Sequence, residues 1–201
     1  MDIAASQVKQ LRDKTGAGLM ACKNALQEKG GDFEAAALLL REQGIAAAAR
    51  RSSKPTGQGM IEAYIHGAGK IGVLVEVNCE TDFVGRNADF RKFVKDIAMQ
   101  VCSANPAYVS RDEVPPEVVE RERAIYKTQA ASTGKPEKIL DRIADGKMER
   151  FYQQVCLLDQ PFNQDESITI QDYLNDVIAR VGENIRIRRF VRFQLGENLE
   201  Q

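Results

Sequence analysis

Only one histidine, His66, occurs in 201 residues, and the four cysteines, Cys22, Cys79, Cys102 and Cys156, form no Cys-x-x-Cys pair. Zinc sites draw on closely spaced Cys and His ligands, so no metal centre is expected. The thiols read instead as reduced, buried small hydrophobes. His66 has no Ser or Cys nucleophile in a recognisable frame, which leaves covalent and acid–base catalysis without support. No catalytic residue and no cofactor is assigned. Charge of one sign is also lacking. With 28 basic and 29 acidic residues the net charge is −1, too small to draw the chain onto nucleic acid or a membrane. No run approaches the ~20 apolar residues of a membrane span. The start, with Asp2, shows neither a basic-then-apolar secretory pattern nor an Arg- and Ser-rich leader. A cytoplasmic protein is the expectation.

What is present is ordinary globular composition, 43% hydrophobic and 28% charged, at a length that suits one or two domains. The first fifty residues carry helical periodicity. Val8 and Leu11 share a face with Ala4 and Ala5, and Gly16 stops the first helix. Leu19, Cys22 and Leu26 recur at i, i+3, i+7, before Gly30-Gly31. Asp32 suits the N-cap of a third helix that runs through Leu38, Leu39 and Leu40 to about Arg50. Residues 52–59 are polar and rich in breakers, and mark a linker between 1–51 and 60–201. The period then changes to two. Ile61, Ala63 and Ile65 alternate against Met60, Glu62 and Tyr64. A turn follows at His66-Gly-Ala-Gly69, and Val73, Val75 and Val77 alternate with Leu74 and Glu76, which reads as an antiparallel hairpin. Phe90, Phe93, Ile97 and Val101 then form the clearest helical face, with Asn87 as N-cap. Further helices are expected from Pro115-Pro116, from Pro136, across Phe151, Val155 and Leu158 up to Pro161, and from Ile170 to Gly182. A last strand spans 184–195, with Ile185, Ile187, Val191, Phe193 and Leu195 on one face. The fold class is α+β: helices first, then about three antiparallel strands with helices packed against them.

Three patterns compete for function. Gly67-Ala-Gly69-Lys-Ile-Gly72 matches G-x-G-x-x-G, but a dinucleotide site needs a helix next and a strand follows, so the glycines make a turn. Arg186, Arg188, Arg189 and Arg192 could form a phosphate-binding stripe. Alternation places Arg186, Arg188 and Arg192 with Phe190 on the outer sheet face, where ion pairs explain them, and no RNP-like aromatics accompany them. A ribosome- or RNA-associated module is the alternative function. The third pattern is Gly72-Val-Leu-Val-Glu-Val-Asn-Cys-Glu-Thr-Asp-Phe-Val84. Here an apolar ring follows a carboxylate just where the strand stops. Either Phe83 covers the core and Asp82 caps the next helix, or Phe83 enters a partner.

That run resembles the signature segment of the elongation factor Ts family. Leu11-Arg-Asp-Lys-Thr-Gly-Ala-Gly-Leu-Met-Ala-Cys-Lys-Asn-Ala-Leu26 resembles the family's opening segment, although Ala21 and Asn24 replace its usual Asp and Lys. The resemblance implies a three-helix, ubiquitin-associated-like domain ahead of the α+β core. It implies a guanine-nucleotide exchange factor, not an enzyme, whose partner is the GTPase elongation factor Tu. Thr81, Asp82, Phe83 and Val84 would disturb the partner's Mg²⁺ and phosphate site, while Arg12, Leu19 and Met20 would dock. Longer family members carry two core modules and this chain reads as one, so a homodimer is a further expectation.

Overall fold

A computed structural model describes residues 3–131 and 137–198. Three helices come first: α1 (Ala5–Thr15), α2 (Leu19–Glu28) and α3 (Phe33–Arg51). Val8, Leu11, Cys22, Ala25, Leu26, Ala36 and Leu40 form their common core. α1 ends at Gly16, whose N–H reaches the Arg12 carbonyl at 2.7 Å. Asp32 caps α3 as expected, accepting from the Ala35 N–H at 3.0 Å. Three positions on the predicted faces are corrected. Ala4 and Ala5 are exposed, and Leu19 is 53% exposed although it precedes Cys22 by three residues. Ala25, not Leu19, completes the buried stripe of α2, and Leu19 is the helix's first residue.

Strands β1 (Gln58–His66) and β2 (Ile71–Cys79) form the hairpin, and β1 starts inside the breaker-rich stretch. Gly59 permits this. Its φ is +133°, and a Cβ there would lie 2.1 Å from the Val77 carbonyl oxygen, so only glycine allows the strands this close. Next come α4 (Asp82–Gly85), α5 (Ala88–Ala104), α6 (Pro116–Ala131) and α7 (Glu137–Val155), then a short hairpin of β3 (Pro161–Phe162) and β4 (Asp165–Thr169), then α8 (Ile170–Val181) and β5 (Ile185–Gln194). The main sheet is antiparallel with order β1-β2-β5. Val73, Val75, Val77 and Cys79 of β2 line its covered face with Ile185 and Ile187 of β5. In α5, Phe90, Phe93, Ile97 and Val101 are all fully buried, as their spacing predicts.

Three expectations change. Phe151 and Val155 belong to the same helix as Ile139 and Ile143, and Leu158 lies in a separate 3₁₀ turn. The Pro136 helix start falls outside the described residues. The β3–β4 hairpin was not foreseen, since its strands are too short to show a period. Finally, β5 does not keep one apolar face. Ile185 and Ile187 are buried, Arg188 and Arg189 are both exposed, and Phe190 and Arg192 are then half-buried while Val191 and Phe193 point out. Alternation slips by one residue at Arg188-Arg189, and a slip of one exchanges the two faces.

Packing divides the chain into two compact units, each discontinuous in sequence: 1–62, 76–96 and 172–188 in one, and 63–75, 97–171 and 189–201 in the other. In the first unit, Phe93 packs edge-on against Tyr173 at 5.1 Å between ring centroids. The Tyr173 hydroxyl donates to the Asp96 carboxylate at 2.8 Å. Burial, then this carboxylate, push the phenol well above its usual pKa, so it stays a donor at all physiological pH. In the second unit, α6 and α7 lie side by side, joined by Arg123–Asp145 and Lys127–Asp141 ion pairs. Arg111 is gripped by Glu149 and Asp159. Phe93→Ala removes a fully buried ring, and a loss of about 3–5 kcal/mol is expected. Chemical denaturation followed by circular dichroism measures it, and a loss below ~1 kcal/mol would contradict this packing.

Candidate functional site

The site begins where β2 runs out. Cys79 is the last strand residue and is fully buried. Two residues later Thr81, in extended conformation, caps the four-residue helix α4, its hydroxyl oxygen accepting from the Val84 N–H at 3.4 Å. The Thr81 carbonyl accepts from the Gly85 N–H at 3.2 Å and from the Cys79 thiol at 3.1 Å. Within α4 only Val84 is buried. A single turn of helix with its fourth residue pinned inward throws its second residue outward. Phe83 is accordingly 79% exposed. Asp82 is exposed beside it and pairs with Arg86 at 3.0 Å, one turn on. The alternative in which Phe83 covers the core is therefore overturned. So is Asp82 as cap of the following helix: Asn87 caps α5, its side chain accepting from the Asp89 N–H at 2.7 Å.

Two polar residues that sequence reasoning missed, Glu183 and Asn184, hold this platform. Gly182, with φ +75°, ends α8. This left-handed turn, which glycine adopts without strain, brings Glu183 and Asn184 back to the end of β2. The Glu183 carboxylate accepts from the Thr81 N–H at 3.0 Å and from the Thr81 hydroxyl at 2.7 Å. The Asn184 N–H donates to Glu80 at 2.6 Å. That hydrogen bond, with Lys54 nearby, holds the Glu80 carboxyl below the usual carboxylate range. The Asn184 side chain donates to the Lys54 carbonyl at 2.8 Å, just past the end of α3. The pairs that join Thr81 to Glu183 lie 102 residues apart, which is why no local pattern could reveal them.

The other predicted residues lie on the helical segment. Arg12 on α1 and Leu19 and Met20 at the start of α2 are exposed, the last two at 53% and 64%. Two large apolar side chains side by side at a helix start, both facing water, suit an adaptable contact.

Comparison with known proteins decides the lineage. The model of the family described as elongation factor TS matches residues 34–197. The chain belongs to the elongation factor Ts family. Its relatives are similar over almost their whole length. Elongation factor Ts of Caldanaerobacter subterraneus subsp. tengcongensis is 54% identical over 99% of this chain and 100% of its own. That of Geotalea uraniireducens is 55% identical over 99% and 92%, and that of Desulforamulus reducens 52% identical over 100% and 92%. The match thus spans nearly the full length of these relatives, and the family is one of translation elongation factors.

All four cysteines are free and buried, and no helix among the described residues is long and apolar enough to cross a membrane. Burial, then the nearby Glu183 carboxylate, raise the Cys79 thiol above its usual pKa. Burial, then Asp159, push Cys156 from 9.0 up to about 11. A thiol raised in the folded state stabilises fully below its unfolded pKa, and that contribution is lost as pH rises through the folded value. For Cys156 the window runs from about 9 to about 11. The four thiols are expected to resist a chromogenic disulfide reagent in the native protein and to react together once denaturant is added. Fast labelling of Cys79 at neutral pH in the folded chain would contradict the burial of the motif's base.

Proposed function

We propose that this chain is the guanine-nucleotide exchange factor of elongation factor Tu, with Thr81, Asp82, Phe83 and Val84 as the segment that enters the GTPase. The observation that carries the reading is the 79% exposure of Phe83 between a buried Cys79 and a buried Val84. An aromatic ring held in water by an anchored turn gains most by burial in a partner, about 1.5–3 kcal/mol. Such a gain weights an equilibrium by roughly 10- to 150-fold. Mg²⁺ in a GTPase is held partly by the protein and partly by the β-phosphate. A wedge that shifts the surrounding loop breaks this geometry, and Asp82 adds a negative charge near the phosphates. The factor makes and breaks no covalent bond. It binds the nucleotide-free state better, and by linkage nucleotide weakens factor binding by the same ratio. GTP, the more abundant nucleotide in the cytoplasm, then refills the site.

Docking falls to residues 1–51, through Arg12, Leu19 and Met20, with 52–59 as linker and 60–201 as the exchange core. The exposed face of the sheet supports a homodimer. Ile65, Leu74, Val191, Phe193 and Leu195 are between 47% and 78% exposed and lie within one unit, and apolar patches of this kind mark association surfaces. The RNA-binding alternative gains no support from the structure, since Arg188 pairs with Glu76 and Arg192 donates to the Cys102 carbonyl.

Stopped-flow release of a fluorescent GDP from elongation factor Tu tests the exchange reading. Wild type should accelerate release strongly, and Phe83→Ala should lower the acceleration by about 10- to 100-fold. An unchanged mutant would remove Phe83 from the mechanism, and an inert wild type would remove the function. Light scattering tests the dimer: about twice the 22.4 kDa chain mass is expected at micromolar concentration, falling to one chain in Phe193→Glu. A wild type that scatters as one chain would rule it out.

A further inference from the structure

The geometry assigns Glu183 as a positioning residue: its carboxylate sets the attitude of the exchange motif by holding Thr81, and through Thr81 it aims Phe83. This inference rests on the exchange function proposed above. Two bonds of one carboxylate tie Thr81 to a distant part of the chain, 3.0 Å from its N–H and 2.7 Å from its hydroxyl. Hydrogen bonds to an ionised acceptor are shorter and stronger than neutral ones. Two of them from one planar group fix orientation as well as distance. The consequence passes directly to the wedge. Thr81 caps α4, and α4 has a single turn, so a rotation of the cap turns the whole helix and swings Phe83 with it.

The same turn also sets the span between wedge and docking helices. Asn184, next to Glu183, is buried and bonds at once to Glu80 at the end of β2 and to the Lys54 carbonyl just past α3. Lys54 in turn reaches Glu80 at 3.3 Å. Residues 182–184 therefore join the end of the helical segment to the base of the motif within one compact unit. A factor that grips its partner at one place and pushes at another loses force if the two are not held at fixed spacing, since ordering costs are then met on binding.

Positioning separates from docking in kinetics. Glu183→Ala should lower the maximal rate of GDP release from elongation factor Tu by about tenfold and leave the half-saturating factor concentration within about twofold of wild type. In a Phe83→Ala background the same substitution should change the rate by less than about twofold, because a misaimed wedge that is already absent costs nothing further. Glu183→Gln keeps the volume and one acceptor for the Thr81 N–H but removes the charge and the second acceptor, and should fall between. It carries the test if Glu183→Ala unfolds, with amide exchange at Thr81 faster than in wild type. Two results overturn the assignment while the exchange function stands: a Glu183→Ala protein as fast as wild type, or one whose loss is undiminished when Phe83 is already alanine. An inert wild type overturns the exchange function and this inference together.

Discussion

A phenylalanine ring that stands clear of its own protein has to be held by its neighbours' backbone. Phe83, 79% exposed, gains little from its own fold, so its direction depends on the turn that carries it. That turn is anchored at three points: Cys79 below, Val84 inward, and Thr81 through the Glu183 carboxylate. Each anchor answers a different need. Val84 supplies apolar burial, the thiol satisfies the Thr81 carbonyl, and the carboxylate satisfies the Thr81 N–H, which the end of the strand would leave without a ladder partner. A segment built this way takes its shape from contacts within its own chain.

The rest of the first unit follows from the same need. The core of α1, α2 and α3 keeps exposed Leu19 and Met20 on a rigid helix start. α8 crosses back to meet this segment, where a side chain added at Gly44 of α3 would meet the Ala179 methyl at 3.5 Å and Asp172 pairs with Arg41 at 2.8 Å. These pairs are partly exposed and individually weak. Their value lies in fixing spacing rather than in stability, which comes from the apolar cores.

Much of this was legible in the sequence, for physical reasons that can be named. Helical periodicity over Phe90, Phe93, Ile97 and Val101 is long and strong, and the helix is there. Asp32 and Asn87 cap because short polar side chains at those positions have free N–H groups to accept from. The hairpin announced itself by a change of period around glycines. Alternation, however, says that two faces exist and not which is covered: Ile61 and Ile65 face out while Met60 and Tyr64 turn in. The phase slip at Arg188-Arg189 was hidden because two arginines in a row suit either register. At the site, Phe83 was visible as an anomaly, a large ring after the strand pattern had ended. Glu183 was not, since one carboxylate between a helix stop and a strand has no pattern of its own until the fold brings Thr81 to it.

If the exposed ring works by favouring the empty GTPase, its contribution must appear in a ratio of affinities. The most direct measurement is the dissociation constant of this protein for elongation factor Tu with and without saturating GDP, by titration calorimetry, for wild type and Phe83→Ala. A wedge requires that wild type bind the empty form far more tightly than the GDP form, and that the mutant's ratio shrink by at least about tenfold, in keeping with the burial of one aromatic ring. Equal ratios in wild type and mutant would contradict it and leave Phe83 as a contact that binds both states alike.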